Sequence, residues 1–540
     1  MMNDREGFLN ISRQRILIMD GGMGSQLFAA GLNDGDYGGH PGCHEFLCLS
    51  RPDVIQKIHN DYLSAGAQII ETDSFGGAKH ILAEHGLADR CFEINQQAAR
   101  LAKQAAEQFS KADDPRYAAG SMGPGSKLPG LGQISFDELV QSYLPQAQGL
   151  LAGGVDCFIV ETCQDLLQLK AAVIAIDRAM KEQDQYRPII GSVTIDQSGR
   201  TLLGSDIAAV LAALEPLPLA AIGLNCSLGP KGLTEAVYYL ARHSSKPLFL
   251  MPNAGLPKLA DGRTVYDLEP KDFAGQMKSF ASAVGLNIAG GCCGTTPEHI
   301  RELASALKDI PARKPLETRT ARISSLYQSQ DISTEPKPLI IGERTNVTGS
   351  KLFRECLQKD DYEGMMKVAL DQQAEQSHAI DLSLAAAGRQ EVLDYQVFCS
   401  MLNTRLQLPV MIDSTSPQVV EEALKRLAGR CIVNSVNLED GGKRARETFE
   451  LCRQYGAAVV CLTIDEQGLA DTADKKIVVA QRLHAMALEC GLAEQDLLFD
   501  FLTFSLGSGD ESLKNAGKET LDAIAKIKSQ FPGSFTVLGI

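Results

Sequence analysis

The sequence predicts an α/β protein built from two (β/α)₈ TIM-type barrels in tandem, the second of them truncated in its seventh strand. Short, almost wholly apolar runs recur along the chain, most end in polar residues or glycine, and stretches with helical spacing separate them. Strands that are apolar along their whole length are typical of a parallel sheet covered on both faces. At 540 residues the chain is also too long for one ordinary core, so two domains are expected.

The first three hundred residues contain eight such runs, with helix-type stretches such as 51–66 and 136–154 between them. Eight βα units in about 300 residues fit a (β/α)₈ barrel. A doubly wound open sheet is the competing arrangement. It is disfavoured because no GxGxxG follows a strand, and because polar residues end most runs rather than marking one switch point. The runs are 15–22, 67–77, 117–125, 155–163, 187–195, 219–227, 246–255 and 284–294.

After residue 309 the composition changes to a polar stretch with four prolines and no sustained period. We therefore predict a first barrel over 1–309, a linker over 310–337 and a second barrel over 338–540. The chain stops on the seventh apolar run of the second barrel, and a missing last strand would leave edge groups unpaired. We therefore expect the sequence to be a piece of a longer protein. The seven runs are 338–350, 378–385, 408–416, 430–438, 457–468, 496–504 and 535–540.

The bulk composition excludes several classes of partner. A formal net charge of −15 argues against a nucleic-acid surface and against binding to an anionic membrane face. The N-terminal residues carry no apolar segment typical of a signal peptide, and no run approaches the roughly 18–20 residues of a membrane span. We therefore expect a cytoplasmic protein whose 14 cysteines are free thiols.

Three of these cysteines stand at the ends of apolar runs and among glycines: Cys226 in GLNCSLGP, and the adjacent Cys292 and Cys293 in GGCCGTTPEH. Three thiolates that converge would hold Zn²⁺ and leave its fourth tetrahedral position open, as catalytic zinc sites do. A substrate thiol bound there would be held as thiolate. The alternative is that these are three unrelated buried cysteines, since free cysteine is commonly buried.

Other polar groups fall at the strand ends of the same predicted barrel, where barrel enzymes place their chemistry. The DGGMGSQL turn offers the backbone N–H groups of Gly21 and Gly22 to a carboxylate. Asp20 and Glu161 are suited to an ammonium group. With a zinc-bound thiol, these parts predict a site for a thiol amino acid. For any single carboxylate, the alternative is a structural partner of a nearby arginine or N–H.

The second predicted barrel ends its runs in carboxylates and amides. Such a mouth suits a pterin, because aspartate pairs with its 2-amino and N3–H edge and asparagine with a carbonyl and N–H. A divalent-metal site is the alternative, since hard cations also collect carboxylates. The groups are Glu343, Asn346, Asp381, Asp413, Asn434, Asp465 and Asp500.

The first half resembles the zinc-dependent homocysteine S-methyltransferase family in its DGGMGSQL, ETDSFGG, IVETCQD, GLNCSLGP, PNAGLP and GGCCGTTPEHI segments. The resemblance implies that Cys226, Cys292 and Cys293 are zinc ligands with homocysteine sulfur as the fourth. It also implies that Asp20 and Glu161 contact the homocysteine amino group. One departure is Asp73, where the family usually has asparagine.

The second half resembles the pterin-binding barrels in GERTNVTGS, MIDSTS, IVNSVN, DEQG and FDFLTFSLGSG, so that the whole chain resembles the N-terminal half of the cobalamin-dependent methionine synthases. Two departures are Ser383, where an asparagine is common, and an expected SNVSFG segment that would begin just beyond Ile540. The resemblance implies that Asp413, Asn434 and Asp500 hold the pterin, with Glu343, Asn346 and Asp465 near it.

The resemblance implies methyl transfer from methyltetrahydrofolate, through a cobalamin, to the zinc-bound thiolate of homocysteine. The nine histidines include no DxHxxG corrinoid signature, so the cobalamin-binding domain is expected in a missing part or in another protein. Three alternatives stay open: a homocysteine methyltransferase that uses betaine or S-methylmethionine, a corrinoid-coupled methyltransferase for another thiol, and a non-catalytic binding module.

Overall fold

A computed structural model describes residues 5–260, 263–503 and 514–539 of the chain. The chain divides into two compact units, Met1–Ile207 with Pro218–Thr318 and Ala208–Leu217 with Arg319–Ile540. Parts of two predicted features lie outside the described residues. The first part is residues 504–509 of the FDFLTFSLGSG segment, and residue 504 is also the last residue of the run 496–504. The second part is Ile540, at the end of the last run.

The first unit contains an eight-stranded parallel sheet, and each of its strands falls within one of the eight predicted runs. The sheet closes on itself, because Met19 pairs in parallel with Ile69 and the N–H of Asp20 donates to the carbonyl of Ile69 at 3.0 Å. The predicted first barrel is thereby confirmed. Its strands are β1 (Leu17–Ile18), β2 (Ile69–Glu71), β3 (Tyr117–Met122), β4 (Cys157–Cys163), β5 (Ile189–Val193), β6 (Ala221–Asn225), β7 (Leu248–Met251) and β10 (Ile288–Ala289). A hairpin of β8 (Lys258–Ala260) and β9 (Arg263–Val265) follows β7.

Helices connect these strands, and their starts follow from capping residues. Ser135 and Asp165 each accept a backbone N–H at the start of a helix and form a capping box with the residue three positions on. The helices of this part are α1 (Arg5–Gln14), α2 (Met23–Ala29), α3 (Leu47–Ser50), α4 (Pro52–Ala65), α5 (Lys79–Leu82), α6 (Cys91–Phe109), α7 (Phe136–Gly153), α8 (Leu166–Glu182), α9 (Ile207–Leu214), α10 (Thr234–His243), α11 (Pro270–Ala283) and α12 (Pro297–Leu307). Short 3₁₀ turns cover Asp34–Tyr37, His44–Phe46, Ala83–His85, Ala88–Arg90, Pro129–Leu131 and Pro230–Leu233.

Side chains from alternate strand positions fill the interior of this barrel. Its centre is made of apolar residues that are at most 2% exposed, and this packed core leaves only the carboxyl ends of the strands for polar chemistry. The core residues are Leu17, Met19, Ile69, Ala119, Cys157, Ile159, Ile190, Ala221, Phe249, Met251 and Ile288.

The second unit contains a seven-stranded parallel sheet, with one strand in each of the seven predicted runs. The outer strands are β13 and β21, so the sheet is an open, curled barrel-like sheet, as predicted from the sequence. Its strands are β13 (Ile341–Gly342), β14 (Ala379–Leu382), β15 (Val410–Asp413), β16 (Ile432–Val436), β17 (Ala458–Leu462), β20 (Leu497–Asp500) and β21 (Phe535–Val537). A small hairpin of β18 (Ile464–Asp465) and β19 (Gly468–Leu469) follows β17.

Several helices between these strands also begin at side-chain caps, since Ser350, Ser416 and Thr472 each accept a backbone N–H of the first turn. The helices are α13 (Lys351–Gln358), α14 (Tyr362–Ala374), α15 (Glu391–Arg405), α16 (Pro417–Leu424), α17 (Lys443–Tyr455), α18 (Ala473–Glu489) and α19 (Ala516–Gln530), with a 3₁₀ turn at Glu494–Asp496. In the part of the chain that the structure describes, no helix has the length and apolar character needed to cross a bilayer.

The segment predicted as a linker contains ordered structure. Residues Arg322–Ser324 (β11) and Ser329–Asp331 (β12) form an antiparallel hairpin. Ile323 is fully buried and packs with Ala379, Ile432 and Ala458. Each of these three is the first residue of its strand, so the hairpin covers the amino-terminal end of the second sheet. The division of the chain by contacts falls between Thr318 and Arg319, inside the predicted 310–337 segment.

Buried arginines hold this hairpin in place. The N–H of Ser324 donates to the carbonyl of Arg430 at 3.0 Å, and the N–H of Arg430 donates to Ser324 Oγ at 2.9 Å. The Arg430 side chain is 2% exposed, donates to the carbonyl of Arg322 at 2.6 Å and pairs with Asp496. Arg319 pairs with the same carboxylate, so one aspartate balances two buried guanidinium groups.

We expect Asp496→Asn to lower the free energy of unfolding by about 3–5 kcal/mol, because it removes the carboxylate that pairs with both arginines. The measurement is urea unfolding followed by circular dichroism. The control is Glu363→Gln, which breaks an exposed pair with Arg405 and should leave the midpoint unchanged. Equal midpoints for Asp496→Asn and the wild type would contradict the assignment.

Candidate functional sites

The three predicted cysteines meet at the mouth of the first barrel. The Sγ atoms of Cys226 and Cys293 are 3.7 Å apart, those of Cys292 and Cys293 are 3.9 Å apart, and all three lie within 4.8 Å of one another. Two sulfurs that each lie about 2.3 Å from a tetrahedral zinc ion are about 3.8 Å apart. The donor set and its spacing therefore fit a tetrahedral metal ion with three protein ligands.

The end of strand β7 positions all three cysteines. The N–H of Cys226 donates to the carbonyl of Met251 at 3.0 Å, that of Cys292 to the carbonyl of Pro252 at 2.9 Å, and that of Cys293 to Asn253 Oδ1 at 3.1 Å. Cys226 itself lies in the left-handed region with φ of 64°, which is uncommon outside glycine. The backbone is thus bent at Cys226 to turn its sulfur towards the pair from the neighbouring loop.

The two glycines of the DGG turn allow the loop with the paired cysteines to approach closely. A Cβ at Gly21 would lie 2.6 Å from Thr295 Oγ1, and one at Gly22 would lie 2.8 Å from the carbonyl oxygen of Cys292. The N–H of Gly22 donates to Thr295 Oγ1 at 3.1 Å, and Thr295 Oγ1 donates to the Cys292 carbonyl at 2.6 Å. The Gly22 N–H, which the sequence assigned to a substrate carboxylate, therefore already has a partner within the protein.

The thiols influence one another's protonation. Hydrogen bonds from the Cys226 and Cys292 thiols, together with one from Tyr266, lower the pKa of Cys293 to about 3. Its hydrogen bonds to Cys226 and Cys293 raise the pKa of Cys292 well above its usual value. Even without a metal ion, the cluster therefore favours one thiolate shared among three sulfurs.

A group of three acidic residues lies at the same mouth: Asp20 after β1, Glu71 at the end of β2 and Glu161 in β4. Asp20 Oδ2 accepts the N–H of Glu71 at 2.9 Å. Glu161 accepts from Ser121 Oγ at 2.6 Å and from Asn225 Nδ2 at 2.9 Å. Burial raises the pKa of all three, that of Glu161 to about 7. The structure thus brings Asp20 and Glu161 together, as predicted, and adds Glu71.

In the second unit, one asparagine joins two carboxylates. Asn346 Nδ2 donates to Asp381 Oδ2 at 2.9 Å and to Asp413 Oδ2 at 3.0 Å. A hydrogen bond from Asn434 also reaches Asp381, and one from Ser383 reaches Asp413. Three of the predicted pterin residues, Asn346, Asp413 and Asn434, are therefore part of one network.

The other predicted pterin residues, Asp465, Asp500 and Glu343, have different surroundings. Asp465 lies in the β18–β19 hairpin, accepts the N–H of Gln467 at 2.9 Å and pairs with Arg482 at 3.8 Å. Asp500 ends β20 and accepts the N–H of Leu502 at 2.8 Å. Glu343 is exposed in the loop after β13 and acts on the network only through its charge.

Sequence reasoning left several residues of these sites without a role. Asp381 was noted at a strand end, and Glu71 lies within the predicted run 67–77, but nothing in the sequence distinguishes them from structural carboxylates. Ser121 and Thr295 carry no signal of their own, since serine and threonine are common near strand ends. Their roles depend on which neighbouring strand each one faces, and only the closed sheet shows that.

The first unit therefore belongs to the class of (β/α)₈ barrels, and the three converging thiols at its mouth form a donor set that suits a metal ion. Residues 17–307 match the homocysteine S-methyltransferase family, and the chain belongs to that family. Residues 342–539 match the pterin binding enzymes. The chain therefore carries a methyltransferase domain followed by a pterin-binding domain.

Two curated relatives are similar to almost the whole chain. The chain is 42% identical over 536 residues to methionine synthase from Mycobacterium tuberculosis and, over the same length, to methionine synthase from Mycobacterium leprae. Each alignment covers 98% of this chain but only 45% and 44% of the relatives, so the chain spans less than half of their length.

Crystal structures of the homocysteine methyltransferase MmuM from Escherichia coli are similar to part of the chain. The oxidized form is 23% identical with a TM-score of 0.45, and the metallated form is 25% identical with a TM-score of 0.44. Each comparison covers 56% of this chain and 99% of the other.

The carboxylate network of the second unit gives a testable pH dependence. Burial, and then the charge of Asp413, raise the pKa of Asp381 from 3.8 to about 7. Between those pH values the folded protein keeps a proton that the unfolded chain has released, so this group's contribution to stability falls as pH rises through the interval. Above about pH 7 the contribution is constant.

We expect Asp381→Asn to remove the fall in unfolding free energy with rising pH that this carboxyl group causes. The loss of unfolding free energy between pH 5 and pH 8 should be smaller in the variant than in the wild type, by on the order of 1–3 kcal/mol. Urea unfolding at the two pH values measures the difference. Identical pH dependence in both proteins would show that Asp381 titrates normally.

Proposed function

We propose that this chain transfers a methyl group to the thiolate of homocysteine, giving methionine, with methyltetrahydrofolate as the methyl source and a cobalamin carried elsewhere as the intermediate carrier. The observation that carries the proposal is the convergence of the Cys226, Cys292 and Cys293 sulfurs within 4.8 Å. The two family matches and the methionine synthase relatives support it.

In the first half-reaction, Cys226, Cys292 and Cys293 hold a zinc ion. When bound, zinc keeps the homocysteine sulfur as a thiolate at neutral pH. A cobalamin carried elsewhere would supply the methyl group that this thiolate receives to give methionine.

The remaining groups at this mouth orient the amino acid. Asp20 and Glu161 accept hydrogen bonds from its ammonium group, and the turn at Gly21 and Gly22 receives its carboxylate. The Gly22 N–H donates to Thr295. This hydrogen bond has to break before the N–H can donate to the substrate carboxylate.

In the second half-reaction, the second unit would hold methyltetrahydrofolate, whose methyl group would replace the one that the cobalamin has given up. Asp413 and Asn434 hold the pterin together with Asp500, and Glu343, Asn346 and Asp465 lie near it. Protonation of the pterin makes it a better leaving group for the methyl transfer. The Asn346 amide, which is shared by two carboxylates, supports the assignment because it fixes their orientation towards a common ligand.

We further propose a division into a homocysteine barrel over 1–309, a connecting segment over 310–337 and a pterin barrel over 338–540. The protein acts in the cytoplasm with a cobalamin-binding domain as its partner, either in another part of a longer protein or in trans. Neither nucleic acid nor membrane is a partner.

We expect Cys226→Ala to lose zinc and to lower homocysteine methylation more than about 100-fold, since even the loss of an outer-shell partner costs about 10–100-fold in such sites. Metal analysis of the purified protein and methionine formation from free methylcobalamin measure the two effects. The control is Cys490→Ala, which removes a partly exposed thiol outside the cluster and should retain zinc. Full activity of Cys226→Ala would end the proposal.

We expect Asp413→Ala to weaken methyltetrahydrofolate binding about 10- to 100-fold, because a charged acceptor of the pterin is lost. Homocysteine methylation from free methylcobalamin should be unchanged, since Asp413 lies in the second unit. Equilibrium binding of the folate and the methylation assay test both parts. Loss of both activities would contradict the assignment of one reaction to each barrel.

A further inference from the structure

Among the residues that the structure describes, two buried oxygens at the mouth of the first barrel have no hydrogen-bond donor. These are Asp20 Oδ1 and Glu71 Oε1. The other Asp20 oxygen accepts the N–H of Glu71, and both oxygens of Glu161 are occupied by Ser121 and Asn225. The acceptors that still lack a donor therefore belong to Asp20 and Glu71.

No protein cation compensates these acids. Within the described residues, none of Asp20, Glu71 and Glu161 forms an ion pair with a lysine, arginine or histidine. After burial itself, the charges of Glu161 and Asp20 are the further causes that raise the pKa of Glu71. Buried polar atoms nearly always have partners, and a buried acceptor without one costs free energy. The carboxylates of this site therefore have no cationic hydrogen-bond donor among the described residues, and a ligand has to supply one.

This inference rests on the proposed function. We propose that Glu71 is a direct ligand of the homocysteine ammonium group and that it selects thiols which carry an amino group. An ammonium has three N–H donors, and the mouth offers three carboxylates, one after β1, one at the end of β2 and one in β4. Asp20 and Glu71 contribute the free oxygens, whereas Glu161 is held in place by Ser121 and Asn225.

The position of the group relative to the thiols supports this role. Asn225, which donates to Glu161, directly precedes Cys226 in the chain. The N–H of Gly291, next to Cys292, donates to the carbonyl of Asp20 at 3.0 Å, so the carboxylates and the sulfurs share one mouth. A short thiol amine can therefore place its sulfur at the cysteines and its ammonium group between the carboxylates. A mercapto acid without an amino group would leave the Asp20 and Glu71 oxygens unfilled.

The test compares three thiols on the zinc-loaded full chain by titration calorimetry. Homocysteine has both polar groups, 3-aminopropanethiol lacks the carboxylate, and 4-mercaptobutanoate lacks the amino group. In Glu71→Gln, homocysteine and 3-aminopropanethiol should bind about 10- to 100-fold more weakly, as expected for a lost charged hydrogen bond. Binding of 4-mercaptobutanoate should be unchanged or tighter.

The matched control is Asp73→Asn, which changes a buried carboxylate two residues further along that contacts Cys48. It should leave all three affinities unchanged. Zinc content is measured for each variant. If Glu71→Gln does not fold, Glu71→Asp, which withdraws the carboxylate by one methylene, gives the same test with the same thiols.

The outcomes separate this inference from the proposed function. If the wild type binds homocysteine and Glu71→Gln binds it equally well, Glu71 is no ligand and only this inference is overturned. An equal loss for all three thiols in the variant would also overturn it, because the effect would lie at the sulfur. If the wild type binds none of the thiols, the proposed function and this inference both fail.

Discussion

The first site depends on one structural feature, the carboxyl end of strand β7. Three consecutive residues there accept the N–H groups of the three cysteines: Met251 and Pro252 through their carbonyl oxygens and Asn253 through its side chain. Strand β7 lies between β6 and β10, the strands that precede the single cysteine and the cysteine pair. One strand end thus sets the separation of the sulfurs from both sides. The distances between the three cysteine sulfurs therefore follow from backbone positions that the sheet fixes.

Both barrels orient carboxylates with an asparagine whose own groups are fully used. Asn225 donates to Glu161 and Thr162 and accepts from the Thr162 N–H and from Ser192. Asn346 donates to two aspartates and accepts the N–H of Thr348. A neutral amide fixes the direction of a carboxylate without cancelling its charge, whereas an arginine would do both. The amide therefore sets the direction of each carboxyl group, while burial sets its protonation.

The sequence was sufficient for the fold because the relevant signal is local. Each of the fifteen strands of the two large sheets lies within a short apolar run, and most of these runs end in polar residues or glycine. Such a run can be recognised without its neighbours. The hairpin at 322–331 was missed because it has only one inward apolar residue, Ile323, between polar Arg322 and Ser324. Its stability comes from Arg430, which is more than one hundred residues away in the sequence. No periodic pattern can report a contact of that kind.

The sites were predictable only in part, for a related reason. The cysteines could be identified because their chemistry is distinctive and their positions follow apolar runs. Glu71 and Asp381 could not, because what distinguishes them is an oxygen without a donor, and that property depends on every neighbouring group. Each of these carboxylates is buried beside other acids, an arrangement that is unfavourable for folding. Active sites commonly retain such unfavourable arrangements, since a ligand relieves them on binding. By the same reasoning, the Glu71 oxygen without a donor indicates a ligand contact more strongly than the hydrogen-bonded oxygens of Glu161 do. Glu161 has donors within the protein, so a ligand adds less to it than to Glu71, whose free oxygen has none.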